Sequence, residues 1–458
     1  MKFTNLTRAE EIGANCYLIE AEGSRVLLDA GMHPREMGAA ATPDFRLLGG
    51  KGFDALVLTH AHQDHVGCVP LAMRQAPGKP VFMTEATAAL SDVMLHNSVN
   101  VMMRQREESG VVDYPLFSHR EVERLVDDWR IVPLSARFDV AGERAGPDSR
   151  GLTCEFFDAG HILGSVGVLI RAEGRRVFYT GDVNFEDQTL MRGAKFPEEN
   201  IDVLIMETTR GDSPVPQGFT RKSEEQRFLA TLQSALDAGA PVLIPVFALG
   251  KTQELLALLY EGKKTGALRG GFGLYVGGLG AKITAATDRL RGSSPRQHGD
   301  LKLAACLPME VVGGQDISQL PVIPRTVYAV SSGMMTENTL SNTLAPRILE
   351  NPSAHCMFVG FSDPKSPAGL LRSAPEGADV VLDARRRPVR RRCKVDEFTL
   401  SAHATREHLL DYARRVQPKK IILVHGDPPA VAWFAREIPR VCPNTEVLVP
   451  PPGQVVEI

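Results

Sequence analysis

Thr59-His60-Ala61-His62-Gln63-Asp64-His65 follows directly on the apolar run Ala55-Leu56-Val57-Leu58. The run has the length and character of a buried strand, so three imidazoles and a carboxylate stand where a strand ends and a loop opens. His60 and His62 are two residues apart and face the same way only while extended geometry lasts. Asp64 and His65 lie beyond the turn and aim elsewhere. A segment of this kind offers ligands to two neighbouring metal ions rather than to one. The bland alternative is a polar surface loop. Four metal-competent side chains in six positions, in a chain with only 12 histidines, weigh against it.

Working outward, the same placement recurs. Asp29 closes the apolar stretch Arg25-Val26-Leu27-Leu28 and precedes Ala30-Gly31. His161 follows Cys154-Glu155-Phe156-Phe157, and Asp182 follows Arg176-Val177-Phe178-Tyr179-Thr180 and a glycine. Glu207 ends Val203-Leu204-Ile205-Met206, and His425 ends Lys420-Ile421-Ile422-Leu423-Val424. Taken singly, Asp29 reads as readily as a turn cap, and His161 as a satisfied core histidine. Repetition at strand ends points instead to a site assembled from several loops on one rim of a rigid scaffold.

From Asp202 onward strands and helices alternate, which favours a parallel sheet covered by helices. Strands are expected near 241–246, 273–276, 326–330 and 356–359, with helices near 220–238, 250–263, 281–291 and 337–350. At 458 residues the chain has room for two or three domains, and 208–390 reads as a second one. The stretch 109–150 reads as loop-rich. Two phosphate-loop lookalikes fail on detail. Gly250-Lys251-Thr252 has Pro245 where a P-loop needs glycine, and Val276-Gly277-Gly278-Leu279-Gly280 is not a full dinucleotide fingerprint.

Apolar content of 43% and charged content of 23% are those of an ordinary globular chain. No apolar run approaches the roughly 18 residues of a membrane span, and the first residues lack the apolar core of a signal peptide. A cytoplasmic location and no membrane partner are therefore expected. Seven cysteines without a CxxC pair read as reduced core thiols. A net charge of −3 makes any nucleic-acid contact local. Arg385, Arg386, Arg387, Arg390, Arg391, Arg392 and Lys394 form one candidate surface, equally readable as a solvated basic edge.

His60-Ala61-His62-Gln63-Asp64-His65 with Gly67, followed by His161, Asp182 and His425, resembles the metallo-β-lactamase superfamily. The insertion between Asp182 and His425, carrying Glu207 and Ser401-Ala402-His403, is similar to its β-CASP branch, which includes RNase J and the pre-mRNA 3′-end processing endonuclease. The resemblance implies an α/β fold. An αββα sandwich would be built from 1–207 and 391–458, with a β-CASP domain at 208–390, in the compact bacterial two-domain form without a KH-type extension or a large C-terminal domain. It implies two Zn²⁺ per chain, with Mn²⁺ chemically compatible. His60, His62 and His161 would bind one ion, and Asp64, His65 and His425 the other, with Asp182 bridging and Asp29 supporting a ligand histidine from behind. Glu207 and His403 would form the general-acid pair, completing a catalytic set of Asp64, Asp182, Glu207 and His403. Lys251, Ser332 and Gly333 would meet the substrate backbone. His425 is the residue that RNA-acting members of the branch carry, so single-stranded RNA is the expected partner; a homodimer is allowed.

The departures from the branch fall mostly on substrate-positioning residues. Thr405 stands where an Asp is usual, Lys251 where an Arg is usual, and Arg210 where an aromatic is typical. After Gly360-Phe361 the chain reads Ser362-Asp363-Pro364-Lys365-Ser366 in place of Gly-Thr-Leu-Gly-Arg. A ribonuclease is the leading expectation. A phosphodiesterase on DNA or a small cyclic nucleotide remains the alternative, with a non-catalytic RNA-binding subunit behind it.

Overall fold

Strand Val203–Glu207 shows how the first part of the molecule is layered. Val203 and Ile205 turn to one core while Leu204 and Met206 turn to another, because successive strand side chains alternate faces. The computed structural model describes residues 1–146, 149–313 and 317–458. The chain forms two compact units: residues 1–186, 193–215 and 403–458 make one, and 187–192 with 216–402 make the other.

Among the described residues, the first unit contains two seven-stranded sheets. One runs in the order Val455–Glu457, Lys2–Asn5, Tyr17–Ala21, Ser24–Leu28, Ala55–Val57, Val81–Met83, Trp129–Ile131. The other runs Glu446–Leu448, Lys420–Val424, Val203–Glu207, Arg175–Tyr179, Val166–Ala172, Thr153–Asp158, Arg137–Asp139. Phe3, Tyr17, Val26 and Val57 meet Phe156, Val168, Val177 and Ile205 between the sheets. Leu18, Leu27 and Leu56 pack outward with Val69, Leu95 and Val99 of the helices Val69–Met73 and Glu85–Ser109. Leu169, Phe178 and Leu204 pack outward with Leu409, Tyr412 and Phe434 of Arg406–Val416 and Pro428–Val441. These are the four layers of an αββα sandwich. Strands buried on both faces read as continuous apolar runs, which is why they stand out in the sequence.

The second unit is a six-stranded parallel sheet in the order Glu310–Val312, Gly273–Gly277, Thr326–Val330, Val242–Pro245, His355–Phe358, Lys394–Glu397. Leu243, Tyr328 and Phe358 form its core with Leu344 and Ile348 of helix Leu340–Leu349. The strand Lys394–Glu397 pairs with His355–Phe358 and carries this unit past residue 390, where the sequence reading ends it. The sequence reading starts a strand at Asp396; the pairing partner extends it back to Lys394. Within 109–150 the structure has a helix, His119–Leu125, capped by Ser118, and the strands Trp129–Ile131 and Arg137–Asp139. Three residues are too few to show a period. Among the described residues, no helix is long and apolar enough to cross a membrane. Six of the seven free cysteines are buried and Cys306 is half-buried.

Candidate metal centre

Every donor of the site leaves a strand at its carboxyl end. Ser24–Leu28 and Ala55–Val57 run parallel in one sheet, as do Arg175–Tyr179, Val203–Glu207 and Lys420–Val424 in the other. Asp29, His60, Asp182, Glu207 and His425 therefore emerge on one rim of the sandwich. His62 precedes a short helical turn, Gln63–Val66, which carries Asp64 and His65. The loop through Gly31 fixes that turn: Ala30 N donates to His65 O at 2.8 Å, and Met32 N to Gln63 O at 2.9 Å. A Cβ on Gly31 would lie 1.6 Å from the Asp64 carbonyl oxygen, so only glycine allows this approach.

The seven donors fall into two groups. His62 Nδ1 lies 3.2 Å from His60 Nε2 and 3.0 Å from His161 Nε2. Asp182 Oδ2 lies 3.5 Å from His60 Nε2 and 3.6 Å from His161 Nε2. In the second group, His425 Nε2 lies 3.4 Å from His65 Nε2 and 3.3 Å from Asp64 Oδ2. Asp182 Oδ1 lies 3.4 Å from His65 Nε2, so one carboxylate faces both groups. Ligands about 2.0–2.1 Å from a tetrahedral centre are about 3.3–3.4 Å from one another. The observed separations match such a donor set. Asp182 Oδ1 is buried and accepts no hydrogen bond, which leaves a carboxylate oxygen for a cation to satisfy. Imidazole and carboxylate donors together fit divalent zinc.

The charges behave as a cation site requires. Burial pushes His60 and His62 down, so both imidazoles are neutral and ready to ligate. Burial raises Asp64, but the charges of His65 and His425 outweigh it and bring the carboxyl down to about 2. Burial likewise opposes ionisation of Asp182, and the same two imidazoles hold it well below the carboxylate range. Burial depresses His65 and His425, yet facing Asp182 and other carboxylates leaves both raised. In the metal-free chain these two hold protons where an ion would sit, and ion binding displaces them.

Behind the donors lies a layer that sequence reasoning reaches only at Asp29. Its carboxylate accepts from His65 Nδ1 and Thr59 N at 2.8 Å, and from Thr59 Oγ1 and Tyr179 OH at 2.9 Å. Asp29 thereby keeps the proton on Nδ1 and points Nε2 of His65 at the site. Thr59 Oγ1 also lies 3.0 Å from His60 Nδ1. Thr209 Oγ1, 2.9 Å from His425 Nδ1, holds the His425 ring in place. Asn15 donates from Nδ2 to Asp64 O at 3.0 Å and accepts from Tyr17 OH at 3.1 Å. Asn15, Tyr17, Tyr179 and Thr209 carry no local signal. Thr209, two residues after Glu207, is the one that position could have suggested.

Glu207 is fully buried, and its Oε1 accepts from Val183 N at 2.7 Å. His403 Nδ1 lies 3.3 Å from both of its oxygens and 4.0 Å from Asp182 Oδ2. The two thus meet at the edge of the donor cluster, although 196 residues separate them. Thr405 caps the helix Arg406–Val416 by accepting from His408 N at 3.2 Å. Arg210 Nη1 reaches the His403 carbonyl oxygen at 3.5 Å. Lys251, Ser332 and Gly333 belong to the second unit, past the carboxyl ends of its parallel strands. Lys251 Nζ donates to Leu400 O, and Ser332 Oγ accepts from Thr336 N at 3.1 Å.

Residues 9–134 match the family described as the Metallo-beta-lactamase superfamily, and 388–449 match the Zn-dependent metallo-hydrolase RNA specificity domain. Among relatives, an Endoribonuclease YSH1 of Candida glabrata is 27% identical over 436 residues, covering 93% of this chain and 55% of that protein. Cleavage and polyadenylation specificity factor 73 of Drosophila melanogaster is 28% identical over 435 residues, covering 92% and 59%. The chain spans about half the length of the curated relatives it matches, at 55% and 52% for two of them. A crystal structure of a protein of unknown function from Enterococcus faecalis V583 shares the fold over 99% of both chains, with a TM-score of 0.55 and 12% identity.

Proposed function

We propose that the chain, whose residues 9–134 match the metallo-β-lactamase superfamily, is a zinc-dependent ribonuclease of the β-CASP type. One observation carries the reading. A protonatable imidazole, His403, is held 3.3 Å from a fully buried carboxylate, Glu207, at the edge of a donor set suited to two cations. His60, His62, His161 and Asp182 would hold one ion; Asp64, His65, His425 and the shared Asp182 would hold the other. Two divalent ions, when bound, lower the pKa of water and neutralise charge on a phosphoryl oxygen.

The chain's own groups do the rest. Glu207 takes the Nδ1 proton of His403 as a hydrogen bond and orients the ring. A carboxylate at Nδ1 fixes the ring so that Nε2 is the nitrogen to offer a proton to the departing oxygen. Asp29 and Thr209 hold His65 and His425 at Nδ1, which aims Nε2 of each inward. Lys251, Ser332 and Gly333 are the candidate contacts for an RNA backbone. RNA as substrate is supported by the match of 388–449 to an RNA specificity domain and by relatives named as endoribonucleases.

The test is a nuclease assay on labelled RNA and DNA, with and without chelator, using wild type, Asp64→Ala and His403→Ala. Asp64→Ala should lose metal and activity. His403→Ala should keep its metals and cleave about 10²–10⁴-fold more slowly, the range for a lost general acid. Chelator-insensitive activity, or none on any RNA, would sink the proposal. Preference for DNA or a cyclic dinucleotide would move it to another phosphodiester.

A further inference from the structure

The chain contains 19 Phe, 7 Tyr and 2 Trp. Among the described residues only two of these rings are exposed, Phe247 at 38% and Phe361 at 58%. They stand at related positions. Strands Val242–Pro245 and His355–Phe358 are parallel neighbours, with Val242 opposite His355, and each ring follows the carboxyl end of one of them. A single exposed apolar side chain needs no explanation. Two aromatic rings on one edge of one sheet, with no other exposed ring among the described residues, do.

The surroundings say what kind of partner the rings suit. A Cβ on Gly333 would come within 2.9 Å of Phe247 Cδ2 and Cε2, so the glycine lets that ring lie against the backbone. Lys251 Cε lies 3.7 Å from where a Cβ on Gly360 would be, beside Phe361. Arg372 donates to the Gly360 carbonyl oxygen at 3.4 Å and pairs with Glu397. Cations and a hydroxyl, Ser332, therefore flank the rings. An apolar peptide face has no use for them. A flexible polyanion with flat π-faces uses both, its phosphates meeting the cations and its bases the rings.

We infer that Phe247 and Phe361 are stacking platforms for bases of single-stranded RNA, beside a backbone contact at Lys251. The inference rests on the ribonuclease reading and adds how the strand is held. Stacking is indifferent to base identity, so the platform retains RNA without reading sequence.

Fluorescence anisotropy with the full metal-loaded chain tests it, in a His403→Ala background that slows cleavage. The probes are a short labelled RNA and an abasic RNA of the same length. Phe361→Ala should bind the ordinary RNA at least about fivefold more weakly, the low end of a lost base–aromatic stack, and the abasic RNA as before. Phe247→Ala should do the same; if it fails to fold because the ring packs on Gly333, Phe361→Ala stands alone. Phe361→Trp should keep its affinity, and its emission should be quenched by ordinary RNA but not by abasic RNA. Unchanged affinity in the alanine variants, or equal losses on both probes, would overturn the inference while leaving the ribonuclease reading intact. No RNA binding by the unsubstituted ring surface overturns both.

Discussion

Asp29→Asn tests whether the metal site is set from behind. The carboxylate is fully buried and takes protons from His65 Nδ1, Thr59 N, Thr59 Oγ1 and Tyr179 OH, at 2.8–2.9 Å. Asparagine keeps one carbonyl oxygen, which still accepts from Thr59 N. Its NH₂ then replaces Oδ2 and faces three donors, the Thr59 hydroxyl, which can turn to the remaining oxygen 3.1 Å away, His65 Nδ1–H and the Tyr179 hydroxyl. The phenol of Tyr179, pushed up by burial, stays protonated and offers no relief. The accessible relief is at His65: its proton moves to Nε2, so that Nδ1 accepts from the amide. That puts a proton on the nitrogen facing Asp182 and His425. Losing a partner of this kind costs about 10–100-fold in metal affinity, or about 1.4–2.7 kcal/mol. The loss should fall on the ion held by Asp64, His65 and His425. The His60–His62–His161 ion should feel less, since Asp29 reaches His60 only through Thr59. Competition against a chromophoric zinc chelator at fixed pH resolves the two affinities, with circular dichroism as the check on folding. Two ions bound as tightly as in wild type would refute the reasoning, since Asp29 would then not control which nitrogen of His65 is free.

Two further expectations follow from charge and capping. His65 and His425 bind protons more tightly in the folded metal-free chain than in the unfolded one. Unfolding above the ordinary histidine value of 6.5 then releases protons. In chelator, stability should be fully present below about pH 6.5 and should fall as pH rises through the raised values. Zinc should reverse the slope by competing with those protons, so urea midpoints from about pH 6 to 9 with and without zinc must diverge. A metal-free midpoint that climbs with pH contradicts the assignment. Thr405→Ala should cost about 1 kcal/mol through loss of the cap on Arg406–Val416, lowering the urea midpoint, with both metals retained. Thr405→Asp should restore it. Metal loss in Thr405→Ala would mean that the residue does more than cap.

How much of this was legible without coordinates varies by element. The strands of the sandwich were legible because they are buried on both faces and read as unbroken apolar runs, Val203 to Met206 and Lys420 to Val424 among them, whereas their αββα layering was an expectation from the family resemblance. The short strand Trp129–Ile131 was not, since an exposed edge of three residues leaves neither a run nor a period, and of Lys394–Glu397 only the part from Asp396 was read as a strand. The donors stood out as rare residue types at strand ends. Asn15, Tyr17, Tyr179 and Thr209 did not, because a residue that orients another is identified by a distance and a direction rather than by its own kind.

The sequence by itself determined which side chains are able to hold a divalent ion and that they sit where strands end. Those properties are local: residue chemistry and the apolar run before it. Only the tertiary structure decided that His62 uses Nδ1 while its neighbours use Nε2, and that Asp182 turns one oxygen to each group. It likewise decided that Glu207 meets His403 across 196 residues of chain. Such facts depend on how two sheets bring their strand ends to one rim, and no stretch of chain contains both sheets.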